Sequence, residues 1–186
     1  MPFTKTGIPG LVLFQPKIFE DSRGYFFESY NKETFSTEGL AYNWVQDNES
    51  YSGYGVIRGL HFQNNPKAQA KLIRALEGKI YDVAVDIRKG SPTFGKWFGV
   101  ELSAENKLQL LIPKGFAHGF SVLSETAKVL YKCDNLYDKN AEGGIMYNDG
   151  SLNIDWKIPV DKSIISDKDL HHPLLKDCNT QFIFEG

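Results

Sequence analysis

The side chains best suited to proton transfer in this chain are the imidazoles of His61 and His118, the phenol of Tyr131 and the carboxylate of Asp169; Lys71 and Arg58 supply cations. A base, a weak acid and a cation near one carbonyl are what removal of an adjacent C–H proton requires: the cation meets the enolate charge while base and acid exchange protons with carbon. An unperturbed imidazole titrates near ~6.5, so a neutral His accepts protons readily at physiological pH.

Each of these residues also has a plain structural reading. Arg58-Gly59-Leu60-His61-Phe62-Gln63 puts Arg58 and His61 on opposite faces of a regular strand, unless a bulge at Gly59 turns both inward. Lys71 opens an apolar strand, where it either blunts a sheet edge or serves as a fixed cation for an oxyanion. Tyr131 suits a core aromatic with a bonded hydroxyl as well as an acid. Ser166-Asp167-Lys168-Asp169 reads locally as a capping box, which favours a helix-end role for Asp169. His118 falls in a glycine-punctuated stretch read as a turn between strands, where binding residues often lie. The pair His171-His172, followed by Pro173, reads as a surface turn rather than a metal site.

The elements that must hold these groups are mostly strands. Seventeen glycines and short β-branched or aromatic runs broken by Gly, Pro, Asn and Asp predict an all-β sandwich or barrel with jelly-roll spacing. Expected strands are Val12–Pro16, Tyr25–Tyr30, Trp44–Tyr51, Val56–Phe62, Lys71–Glu77, Gly78–Arg88, Lys96–Leu102, Gln109–Ile112, Gly119–Val122 and Lys128–Asn135. Asn31–Glu38 and Ser166–Leu170 are the expected short peripheral helices. Alternation turns Ala127, Val129, Tyr131 and Cys133 inward and Lys128 and Lys132 outward. It also puts Gln46, Asn48 and Ser50 on the face of Trp44, a polar row that suits a wet or ligand-filled lumen. The segment after Leu152 loses alternation and is expected to pack around the barrel.

With 186 residues and 41% hydrophobic content, one domain over residues 1–186 is expected. A net charge of -2 gives no footprint for nucleic acid. No apolar run approaches the ~20 residues of a membrane span, and no leader pattern opens the chain, so a cytoplasmic protein is expected. Cys133 and Cys178 form no metal or disulfide pattern and are expected as free thiols.

At several ordered motifs the chain resembles the dTDP-4-dehydrorhamnose 3,5-epimerase family of cupin-like jelly rolls. They are DSRGYFFE at Asp21–Glu28, Gln46-Asp47-Asn48, VIRGLHFQ at Val56–Gln63, DVAVDIRKGSPTFGKW at Asp82–Trp97, LSAENKLQLLIPKGFAHGF at Leu102–Phe120 and LYKCDNLY at Leu130–Tyr137. The resemblance implies that His61 is the base, supported by Asp169, that Tyr131 is the acid on the opposite face, and that Lys71 steadies the enolate. It further implies substrate contacts from Arg23, Glu28, Gln46, Asp47, Asn48, Arg58, His118, Glu142 and Lys168, with Tyr137 stacking on thymine. It implies a dTDP-sugar substrate, no metal or redox cofactor, and a homodimer whose N-terminal segments contribute Arg23 and Glu28 to the partner's site. Tyr147 and Trp156-Lys157-Ile158-Pro159 depart from the Trp and Trp-Pro of the family pattern.

Three alternatives remain open. A single-centre epimerase would use the same groups on one carbon of a related 4-keto sugar nucleotide. A metal-dependent cupin would need clustered ligands, yet His61 is followed by Phe62-Gln63, with no second His two residues on. A non-catalytic sugar-binding jelly roll would need no His61 and Tyr131 pair.

Overall fold

The computed structural model describes residues 2–185; Met1 and Gly186, the two ends of the expected domain, lie outside the described residues. In chain order the elements are β1 (Phe3–Lys5), β2 (Val12–Phe14), β3 (Phe19–Asp21), β4 (Gly24–Phe26), α1 (Lys32–Thr37), β5 (Gln46–Gly53), β6 (Ile57–Gln63), β7 (Lys71–Glu77), β8 (Lys79–Asp86), β9 (Trp97–Ser103), β10 (Gln109–Ile112), β11 (Phe116–Val122), β12 (Thr126–Cys133) and β13 (Glu142–Gly144). One sheet runs β1-β2-β10-β7-β12-β5 and faces a second, β13-β6-β11-β8-β9; β3 and β4 form a separate hairpin. Two antiparallel sheets enclosing a core fit the all-β jelly-roll expectation. Among the described residues, no helix is long and apolar enough to cross a membrane.

Three apolar layers explain why the strands read as they do. Ile73, Leu110 and Ile112 of the first sheet meet Ile80, Ala84, Leu102 and Phe120 of the second between the sheets. The outer face of the second sheet, with Leu60, Val83, Val85 and Ala117, is covered by Ile145, Leu152, Trp156 and Phe182. The outer face of the first is partly covered by α1, whose Phe35 packs on Val12, Phe14, Leu72 and Leu111. Where both faces are covered, alternation gives way to continuous burial, as across all of β11.

The expected Asn31–Glu38 helix appears as α1, with Asn31 Oδ1 accepting the Glu33 and Thr34 N–H groups at 3.0 and 3.3 Å. At Ser166–Leu170 only a single 3-10 turn forms, Asp169–His171. Ser166 Oγ does accept the Asp169 N–H at 3.2 Å, but the Asp169 carboxylate does not return to close the box. Both cysteines are unpaired.

A bulge at Gly59, which the sequence left open as a way to turn Arg58 and His61 to one side, is present, although Arg58 stays exposed. His118 of β11 lies opposite His61 while Phe120 lies opposite Arg58, so β6 carries one extra residue between the two pairs. Only glycine fits there: φ is +132°, and a Cβ would stand 2.5 Å from Gly119 Cα. Gly59→Ala is therefore expected to destabilise the protein by about 2–4 kcal/mol, combining backbone strain with steric overlap. Urea unfolding measures this, and a loss below about 1 kcal/mol would mean the bulge relaxes without cost.

Candidate active site

The extra residue in β6 sets His61 at the wall of a cavity of about 160 Å³ between the sheets. Gln46 and Asn48 of β5, His61, Phe62 and Gln63 of β6, and Lys71 of β7 line it, with Gln69, Tyr131 of β12, Tyr137 and Glu142. His61 belongs to one sheet, and Lys71 and Tyr131 to the other. A larger hollow, about 500 Å³, runs along the β3–β4 hairpin, but its Arg23 and Asp21 satisfy one another at 2.6 Å and no proton-transfer pair faces it.

Behind the His61 ring lies Asp169. Its Oδ1 is 2.7 Å from His61 Nε2, and its Oδ2 accepts the Gly59 N–H at 3.1 Å. Burial pushes the Asp169 carboxyl up, but the His61 hydrogen bond and charge, with the Gly59 N–H, hold it below its ordinary value. The carboxylate accepts at Nε2, which puts the proton of neutral His61 there and leaves the Nδ1 lone pair as the free basic position.

On the facing sheet, the Lys71 ammonium lies 5.9 Å from the centre of the Tyr131 ring. Burial lowers the Lys71 pKa, against the opposing influence of Cys133, Asp82 and Glu142. Burial raises the Tyr131 phenol, with Cys133 adding and Arg58 opposing, so the hydroxyl remains a proton donor at neutral pH.

At the rim, Tyr137 donates its N–H to Gln46 Oε1 at 2.9 Å and its hydroxyl to Glu142 Oε2 at 3.1 Å. Glu142 also pairs with Lys168 at 2.5 Å. Burial pushes Glu142 up, but the Lys168 and Tyr137 contacts bring it below its usual range. Gln63 holds the Tyr137 loop, donating to Lys67 O and Leu136 O and accepting the Asp138 N–H at 2.8 Å.

Several expected residues stand elsewhere. His118 is not in a turn: it is a buried residue in the middle of β11, because both faces of that strand are covered, and its Nε2 lies 2.8 Å from Asp82 Oδ1. Burial lowers its pKa, with Asp82 opposing. Arg58 lies outside the cavity lining and donates Nε to Ser52 Oγ at 3.1 Å. Asp47, between Gln46 and Asn48, points to the outer face and pairs with Lys132 at 3.0 Å. Arg23 and Glu28 lie away from the cavity of this chain, Arg23 with Asp21 and Glu28 accepting from Asn31 at 3.1 Å.

His172 is a further correction, because its ring is turned inward beside His61 rather than exposed like that of His171. Tyr147 and Trp156 pack outside the second sheet, joined by a Trp156 Nε1 to Tyr147 O hydrogen bond, and neither lines the cavity. Sequence reasoning missed Asp82, whose signal is an acid inside the apolar run Tyr81–Ile87. It also missed Gln63 and Gln69, which carry no local mark.

A family model described as dTDP-4-dehydrorhamnose 3,5-epimerase matches residues 5–177. A protein of that name from Shigella flexneri is 55% identical over 172 residues, covering 92% of this chain and 94% of its own. The crystal structure of the Elizabethkingia anophelis enzyme of the same name superposes with a TM-score of 0.91 at 55% identity, covering 94% of this chain and 96% of that one. A dTDP-6-deoxy-D-glucose-3,5-epimerase from Legionella pneumophila, solved in complex with dTDP-4-keto-L-rhamnose, gives 0.94 at 44% identity, covering 99% and 98%.

Because burial disfavours the charged form of Lys71, that group costs stability at neutral pH. Lys71→Met is expected to gain about 1 kcal/mol at pH 7, or roughly 2–4 °C in Tm for a chain of this size. With the folded pKa below the unfolded one, the wild type regains stability as pH rises through the interval between them, so the gap narrows toward alkaline pH. Thermal unfolding across pH 7–10 measures it; a less stable methionine variant at pH 7 would contradict the assignment.

Proposed function

This chain belongs to the dTDP-4-dehydrorhamnose 3,5-epimerase family, and we infer from that membership how its cavity inverts C3 and C5 of dTDP-4-keto-6-deoxy-D-glucose. It is an isomerase, and its product is dTDP-4-keto-L-rhamnose, in dTDP-L-rhamnose biosynthesis.

The C4 ketone of the substrate makes the hydrogens on C3 and C5 removable, since the electron pair left behind spreads onto the carbonyl oxygen. His61 takes the proton at Nδ1, and Asp169 steadies the imidazolium that results. Lys71 stands against the enolate oxygen. Tyr131 then returns a proton to carbon from the opposite side, which inverts the centre, and solvent resets both groups. The observation that carries this reading is the origin of His61 and Tyr131 on opposed sheets, with one cavity between them. The same pair acts on both carbons, so the sugar ring turns between the two steps.

The cavity is smaller than the ~300–1,000 Å³ of sites that enclose a whole drug-sized ligand, which suits one sugar ring with the nucleotide outside it. Gln46, Asn48, Glu142 and Lys168 hold the sugar and diphosphate end, with Arg58 and His118 behind the site, and Tyr137 offers its exposed ring to thymine. Exposed Tyr25 and Phe26, 59% and 67% accessible, support a homodimer in which this hairpin reaches the second copy and brings Arg23 and Glu28 to its site. The enzyme acts in the cytoplasm on a soluble nucleotide sugar.

In heavy water, wild-type enzyme is expected to place deuterium at both C3 and C5, read by NMR. Tyr131→Phe should keep measurable exchange of the abstracted proton while inversion falls by about 10²–10⁴-fold, the usual share of a general acid. His61→Ala should lose both. Label at one carbon alone would reduce the protein to a single-centre epimerase, and unimpaired inversion by Tyr131→Phe would remove Tyr131 from the acid role.

A further inference from the structure

His172 is the polar group beside the site that the proton chemistry leaves unused. Its ring meets that of His61 edge-on, with centroids 5.6 Å apart and planes at 75°. Its side chain is 12% exposed, and Nε2 lies 3.5 Å from Asp169 Oδ1. That nitrogen is buried and makes no hydrogen bond among the described residues, an unfavourable state for a polar atom. The packing holds the ring in place, since a Cβ on Gly144 would stand 2.4 Å from it. Lys168, a cation whose charge reaches His172, is paired with Glu142.

One ring nitrogen each from His61 and His172 and one carboxylate oxygen of Asp169 thus lie within 4.8 Å of one another, with both Nε2 atoms facing Asp169 Oδ1. We propose that this triad is a Zn²⁺ site whose occupancy disables the His61 base. Two His and one carboxylate with a fourth position left for water is a donor set that zinc accepts. Ligand bonds of ~2.0–2.1 Å in a tetrahedron hold donor atoms about 3.4 Å apart. The His172–Asp169 separation already meets this, and the 2.7 Å His61–Asp169 contact opens as the metal replaces the proton between them. The Gly59 N–H on the other Asp169 oxygen is the kind of outer hydrogen bond that orients a ligating carboxylate.

Inhibition follows from where the proton goes. Neutral His61 holds one ring proton, at Nε2 while Asp169 accepts it. Zinc takes the Nε2 lone pair, so that proton moves through solvent to Nδ1, with no net loss or gain. Nδ1 then has no lone pair for the substrate's C–H proton. The inhibitory part of the inference rests on His61 as the base, whereas the binding part does not.

Calorimetry with zinc chloride on chelator-treated, full-length protein tests the binding, and deuterium exchange into substrate at saturating zinc tests the consequence. Wild type is expected to bind one Zn²⁺ per chain and to lose exchange at least tenfold, with recovery on adding a chelator. His172→Gln should keep the exchange rate of zinc-free wild type, resist zinc, and bind it at least about 10–100-fold more weakly, a loss that even outer-shell changes produce. His171→Ala, which removes an exposed neighbouring imidazole, should behave as wild type. His172→Asn repeats the test should the glutamine variant fail to melt cooperatively. Absent zinc binding, equal affinity in wild type and the His172 variants, or unimpaired exchange at saturating zinc overturns the proposal. A protein inactive without zinc would instead overturn the epimerase roles, and calorimetry would still report on the metal site.

Discussion

The carboxylate of Asp169 ties β6 to the C-terminal segment, which otherwise pairs with that strand's start through one parallel bridge between Val56 and Ile164. One oxygen holds His61 and the other holds the backbone of Gly59, so a single side chain fixes both the ring and the bulge that aims it. The bulge depends on a glycine pressed against Gly119, and the carboxylate depends on the 3-10 turn at Asp169–His171. A strand His with neither constraint would sit in register, with its ring free to rotate and either nitrogen protonated. Here the tautomer is set by a partner that is itself held by a backbone donor, which is how a weak base becomes a directed one.

The two-sheet architecture supplies what this anchor alone cannot. Inverting a carbon requires proton donor and acceptor on opposite sides of the ring, and side chains of a single strand or sheet face offer only one side. Facing sheets separate His61 from Tyr131 by the space between them. The apolar layers around that space also set the electrostatics. Burial raises the Tyr131 phenol so that it keeps its proton, and disfavours the charged form of Lys71.

Much of this was legible in the residues themselves. Apolar runs such as Lys71–Glu77 and Gln109–Ile112 match the expectation end to end, and the inward face of Ala127–Cys133 follows from period two. The three-residue strands β1, β3 and β13 were missed because so short a run carries little period, the expected Tyr25–Tyr30 met β4 only at Tyr25 and Phe26, and β3 and β4 bury neither face. His118 was misplaced because glycines on both sides suggest a turn, whereas Gly119 is there for close approach to β6. Asp47 shows the opposite case, since the alternation that turns Gln46 and Asn48 inward already turns Asp47 out. Asp169 and His172 were hardest, because their positions depend on contacts made over a hundred residues back along the chain, which local pattern does not encode.

The order of these contacts along the chain has a consequence for biogenesis. Every strand of both sheets precedes Leu152, and the segment bearing Asp169 is translated only after them. The imidazole therefore gains its carboxylate partner only once that trailing segment has docked across the outer face of the second sheet, whose apolar cover Leu152, Trp156 and Phe182 of the same segment supply.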